Sequence, residues 1–184
     1  MSSENSKRSE KTTKAAPKDF EKPKRIHPCD LIELNKMAEL LELDVNQMRA
    51  RRERKGNDIC IVSTTEIGQK GKEQDIFFFN LLINSNGKAD YKKGISEMLA
   101  EGTLLIPAGP DEGKYMPLKQ VEGLGGEAFV YSAAHFTALI FEKNNQYRYT
   151  MTLYKNVANS DIFNGLDQDS GELEEALIEL AKSM

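Results

Sequence analysis

Residues 121–156 read VEGLGGEAFVYSAAHFTALIFEKNNQYRYTMTLYKN, and the fold class turns on them. They predict a glycine-rich turn followed by three short strands. Residues 136–141 and 147–154 are apolar, aromatic and threonine-rich, which suits a pleated, half-buried surface. The polar run at 142–146 makes these two a hairpin, since either Asn144 or Asn145 tolerates a left-handed turn conformation. Strand alternation sends Tyr147, Tyr149, Met151 and Leu153 to one face and Arg148, Thr150, Thr152 and Tyr154 to the other. Such a sheet is made to receive helices on its apolar side.

Downstream, residues 157–169 are rich in Asn, Asp and Gly and form a linker. A closing helix follows, capped by Asp169 or Ser170, with Leu173, Leu177, Leu180, Ala181 and Met184 as its apolar stripe. Glu172, Glu174 and Glu175 fall in its first turn and Lys182 in its last, as the helix dipole prefers.

Upstream, the prolines and glycines of residues 104–117 predict a loop, with a short strand at 104–106. Asp90 caps a second helix whose face is Tyr91, Ile95, Met98 and Leu99, and Gly102 is its C-terminal stop. Residues 76–83, IFFFNLLI, are apolar almost throughout and predict a central strand buried on both faces. Residues 58–65 are another strand. The run RARRERK at 49–55 precedes Gly56-Asn57, a turn signal, and reads as a solvated loop, since short charge runs usually line a solvated face. Before it, Asp30 and Glu33 make a capping pair for a first helix with Leu31, Leu34, Ala38 and Leu41 on one face, ending near Leu43; residues 44–48 add a turn. Helices segregated from strands joined by short turns predict an α+β fold with a mainly antiparallel sheet of about five strands and three helices.

The chain of 184 residues is expected to form one domain, 28–184, behind a polar tether, 1–27, too poor in apolar residues to offset its ordering entropy. The net charge of −4 hides an asymmetry: residues 1–28 hold eight Lys/Arg against four Asp/Glu, so the remainder is strongly acidic. An acidic body argues against a nucleic-acid partner, which selects a basic folded surface. No apolar run approaches the roughly 20 residues that span a bilayer. The opening MSSENSKRSEK lacks the apolar core of a signal peptide, as in a cytosolic protein or one whose export signal has been removed.

Candidate chemistry is sparse. Gly123-Leu124-Gly125-Gly126-Glu127-Ala128 matches the dinucleotide fingerprint G-x-G-x-x-A, but a strand follows where the fingerprint needs a helix N-terminus, so a tight turn is expected. His135 lies three residues from Ser132, without a nucleophile-elbow pattern. His27 lies two residues from Cys29, without a second cluster to complete a zinc site. No cofactor, metal or catalytic residue is therefore expected. Tyr147, Arg148, Tyr149 and Tyr154 are the candidate partner-binding residues. Cys29 and Cys60, an even count, leave room for one structural bridge; two unrelated buried thiols are the alternative.

The order Pro28-Cys29-Asp30-Leu31-Ile32, a helix, Cys60 in a strand, the Gly123–Phe129 motif, a hairpin and a C-terminal helix ending in Ala-Lys resembles small uncharacterised bacterial cell-envelope lipoprotein domains. Those open with Pro-Cys-x-Leu-Leu and carry Gly-Leu-Gly-Asp-Glu-Ala before the hairpin. The chain departs from them at Gly126, in place of Asp, and in its Arg-rich segment. The resemblance spans roughly residues 28–184. It implies an exported, non-enzymatic domain on a lipid anchor, with Cys29 and Cys60 joined, acting as a monomer on a protein partner or small ligand. The alternative is a cytosolic inhibitor- or immunity-type protein whose acidic body neutralises a basic partner; a small hydrolase comes third.

Overall fold

The computed structural model describes residues 26–55, 57–67, 72–84, 102–105, 112–143, 147–157, 160–161 and 171–184. The expected tether (bar its last two residues), the helix expected from Asp90, the 144–146 turn and most of the 157–169 linker lie outside them.

A 3-10 turn at Pro28–Asp30 leads to helix α1 (Leu34–Leu41) and a second 3-10 turn, Val45–Gln47. Three long strands follow, β1 (Met48–Lys55), β2 (Asn57–Ile67) and β3 (Glu73–Asn84). Strands β4 (Thr103–Leu105) and β5 (Tyr115–Pro117) pair with each other as a separate ribbon. Next come β6 (Lys119–Gln120), β7 (Ala128–Ser132), β8 (Phe136–Lys143) and β9 (Tyr147–Tyr154). A small ribbon, β10 (Asn156–Val157) with β11 (Ser160–Asp161), precedes helix α2 (Glu172–Ser183).

The main sheet has the order β1-β2-β3-β9-β8-β7-β6, and every neighbouring pair is antiparallel. It consists of two meanders, β1–β3 and β6–β9, joined where β3 meets β9 from Phe79↔Leu153 to Asn84↔Arg148. The α+β, mainly antiparallel expectation holds. The strand number does not: the main sheet has seven strands rather than about five, and the described residues contain two α-helices.

The two strands added to the main sheet are β1 and β6. Residues 49–55 are an edge strand and not a loop; β1 pairs with β2 from Met48↔Thr64 to Lys55↔Asn57. An edge strand needs backbone partners on one side only, so a strand can be built from Arg, Glu and Lys with Met48 as its buried residue. Outside the main sheet, the short strand expected at 104–106 is β4, and its partner β5 lies in what was expected as loop.

The third difference is in β3, which is central in order yet not buried on both faces. Val62 pairs with Phe79 but Ser63 with Phe77, leaving Phe78 as an extra residue in a β-bulge. The bulge reverses the alternation. Ile76 and Phe78 before it, and Phe79 and Leu81 after it, all enter the same core, while Phe77 is 50% exposed on the opposite face. Two adjacent residues, Phe78 and Phe79, thus serve the same buried face.

The core lies between the sheet and its two helices. Met37, Ala38 and Leu41 of α1 and Leu173, Ala176, Leu177, Leu180 and Ala181 of α2 pack with Cys60, Val62, Leu81, Leu139, Phe141, Met151 and Leu153 of the strands. The C-terminal stripe is the expected one, and Gly171 is the N-cap, with a left-handed φ of 91°. The first helix starts later than expected. Asp30 belongs to the 3-10 turn, its carboxylate pairs with Arg52 of β1, and Glu33 makes no side-chain cap.

Candidate functional site

The sheet's two faces differ in what covers them. On the helix face a polar contact fixes the start of α2: buried Glu174 accepts 2.8 Å bonds from Ser132 Oγ of β7 and from Lys119 Nζ of β6. Ser132 Oγ also lies 3.0 Å from Thr137 Oγ1. The serine hydroxyl thus meets a carboxylate in a structural anchor, while His135 is exposed in the β7–β8 turn. The two do not form a hydrogen-bonded nucleophile–base pair.

On the opposite, outer face, a second small core of Phe129, Tyr131, Ala138 and Ile140 is flanked by Leu104, Met116, Leu118 and Phe136. The β4–β5 ribbon therefore covers the β7–β8 part of this face. Beyond it a row of aromatic rings crosses four strands. Tyr131 meets Phe136 edge-on, with ring centres 5.9 Å apart. Phe136 is the register partner of Tyr154, and Tyr154 meets Phe77 edge-on at 5.7 Å. The Tyr154 hydroxyl accepts a 2.9 Å bond from Asn80 Nδ2. Such pairs favour edge-to-face packing and present both apolar ring surface and a polar tip. The row grades outward from buried Tyr131, through half-buried Phe136 and Tyr154, to half-exposed Phe77.

The four candidate partner-binding residues are split by β9 as alternation requires. Arg148 and Tyr154 lie on the outer face. Tyr147 and Tyr149 face the helices, where Tyr149 is buried and stacks on Phe141 at 5.0 Å. Burial holds the Tyr149 phenol above its usual pKa, with the neighbouring Tyr147 adding to the effect. Burial likewise raises Tyr131, partly opposed by the positive charge of Arg148. The outer row includes Phe77, Tyr131, Phe136 and Asn80, none of which stood out in sequence. Phe77 was hidden within an apparently uniform apolar run, and the bulge that turns it outward leaves no motif.

Cys29 and Cys60 form a disulfide, with Cα atoms 4.9 Å apart. The bond closes the segment containing α1 and β1, and fastens the start of the domain to β2. His27 supports this junction as N-cap, its Nδ1 accepting from the Cys29 amide at 3.2 Å. Disulfides form and persist in oxidising compartments, so the pairing points away from the reducing cytoplasm. It also removes Cys29 from any metal-ligand set with His27. Among the described residues no group of three or more His, Cys, Asp or Glu is arranged to hold a metal ion, and no helix is long and apolar enough to cross a membrane.

The glycine motif joins β6 to β7. Gly123 and Gly125 adopt left-handed φ of 85° and 84°, and Leu124 between them inserts into the main core. Gly126 answers a different need: a Cβ there would lie 2.9 Å from the Glu142 carbonyl oxygen. No helix N-terminus follows the turn, so it lacks the amides that cradle a pyrophosphate.

No protein-family model, curated protein or solved structure matches this chain.

Proposed function

We propose that this is a non-enzymatic domain of the cell envelope, held at a membrane by a lipid-modified N-terminus and binding a protein partner or small ligand. The observation that carries the reading is the Cys29–Cys60 disulfide, which favours an exported protein. The lipid anchor rests on the resemblance of residues 28–184 to envelope lipoprotein domains. The binding surface in this reading is the outer face around Phe77, Asn80, Phe136, Arg148 and Tyr154, where aromatic rings and hydrogen-bonding groups share a sheet surface beyond the ribbon.

Fractionation of the native protein from its own cells, with detergent phase partitioning and alkylation of free thiols, tests the proposal. The expected result is an envelope protein that enters the detergent phase and has both cysteines protected until reduced. Recovery in the cytosol with two alkylated thiols would return the inhibitor- or immunity-type alternative, in which the acidic body meets a basic partner.

A further inference from the structure

Cys29 and Cys60 share one bond but not one environment. Cys60 lies on β2 between β1 and β3, opposite Arg52 and Leu81, and is fully buried in the main core. Cys29 is only partly buried, on the 3-10 turn that packs across those three strands. A reagent in solution reaches Cys29 with the fold intact. It reaches Cys60 only when the turn lifts or the core opens, and such openings limit reaction at buried groups.

The turn keeps its shape through contacts that do not involve sulfur. Buried His27 accepts the Cys29 N–H at Nδ1, 3.2 Å away, and its carbonyl accepts the Asp30 N–H at 2.9 Å. Pro28 between them has its φ fixed by the ring. On the other side of Cys29, Asp30 pairs with Arg52, the residue opposite Cys60. Cys29 and Asp30 therefore dock side by side on a cross-strand pair, each on its own partner. His27 is buried with Nε2 unpaired among the described residues, a cost to the ring's position. The bond to the Cys29 amide is the polar contact its side chain makes among those residues.

We propose that Cys29 is the sulfur through which thiol–disulfide exchange makes and opens this bond, with Cys60 as the buried resolving cysteine and His27 as the residue that positions Cys29. The co-reactant is a disulfide of another molecule for closing and a thiol for opening. In closing, the Cys29 thiolate attacks one sulfur of that disulfide and expels the other half as a thiolate. The Cys60 thiolate then attacks Cys29 Sγ and expels the second half. The two cysteines give up two protons and two electrons, and the co-reactant leaves as two thiols. In opening, an incoming thiolate bonds to Cys29, Cys60 departs as thiolate, and a second thiolate frees Cys29. The resolving step is intramolecular, because the turn holds Cys29 against Cys60 with their Cα atoms 4.9 Å apart. Neither the lipid anchor nor the ligand of the outer face enters this chemistry.

The test uses the full 184-residue protein with glutathione as the probe. Reduced glutathione is added to the bonded protein, the reaction is stopped with acid, and free thiols are alkylated in denaturant. Peptide mapping then locates the mixed disulfide, and glutathione on Cys29 with the alkyl label on Cys60 is the expected pattern. Single-cysteine variants answer the same question where the mixed disulfide is too short-lived to trap. Folded Cys60→Ala should take up glutathione from its oxidised form at least about tenfold faster than folded Cys29→Ala, and the two should react alike in urea. Glutathione on Cys60, or equal rates in variants that both melt cooperatively, overturns the proposal. For the positioning role, His27→Ala should shift half-reduction about fivefold toward weaker reducing mixtures, as loss of an N-cap does. His27→Asn, which can cap, should stay near the wild type. A lower melting temperature in His27→Ala with half-reduction unchanged would make His27 a structural cap and overturn its part in the assignment.

Discussion

The two meanders of the sheet are equal partners in the hydrogen-bond ladder and unequal in cover. Strands β6–β9 have α2 on one face and, across β7 and β8, the β4–β5 ribbon on the other. Strands β1–β3 share the main core on their helix face, but their outer face shows half-exposed Phe77 and their free edge is the arginine strand. The β6–β9 meander is closed by apolar burial on both faces. The β1–β3 meander, covered on one face, is also secured by a covalent bond, Cys29–Cys60. A small domain short of core commonly relies on such a staple, and the surface left open is where a partner has room to act.

The sharpest way to break this comparison is one residue type on one face in the two halves. Phe129 is fully buried beneath the ribbon side of β7, and Phe129→Ala should cost about 3–5 kcal/mol. Phe77→Ala, on the same face of β3, should cost no more than about 1 kcal/mol, chiefly its edge contact with Tyr154. Urea unfolding of both variants measures the difference. Equal losses would mean that the outer face of β3 is covered as completely as that of β7.

Replacing both cysteines by alanine comes next. The bonded residues are 31 apart in sequence, and loop-closure entropy for a segment of that length corresponds to about 3–4 kcal/mol. Hydrogen exchange should show β1 and β2 losing protection before β8 and β9 do. A uniform loss across the sheet would show that the bond supports both halves alike.

Gly126→Ala tests the closed half at its tightest turn. The added methyl meets the Glu142 backbone, so a loss of about 1–3 kcal/mol is expected, read as a lower melting temperature. Tyr154→Phe acts at the seam between the halves. It removes the acceptor for Asn80 and should cost about 0.5–1.5 kcal/mol in the same assay.

The smallest effect is at alkaline pH. Tyr131 and Tyr149 are held protonated by burial, with pKa values raised above the usual 10.0. Their contribution to stability is complete below that value, where folded and unfolded forms bind the proton alike, and is lost as pH rises above it, because the unfolded chain ionises first. Denaturation midpoints should therefore fall as pH is taken above 10.0, with late-titrating tyrosines in the ultraviolet spectrum.

The sequence by itself determined the hairpin of β8 and β9 with its sorted faces, the apolar stripe of α2, the left-handed glycine turn before β7 and the α+β class. These follow from local periodicity, which chain geometry converts directly into one buried side. It left the state of the two cysteines open, because pairing depends on a distance between residues 31 apart in sequence. Only tertiary structure made a strand of the arginine run, since an edge strand takes its conformation from the ladder of its neighbour and not from burial of its own side chains. Only tertiary structure divided the three consecutive phenylalanines, because a bulge is a property of two paired strands and has no pattern in one of them. The aromatic row arises the same way: Tyr131, Phe136, Tyr154 and Phe77 come from four strands, and it is the order β3-β9-β8-β7 that sets them side by side.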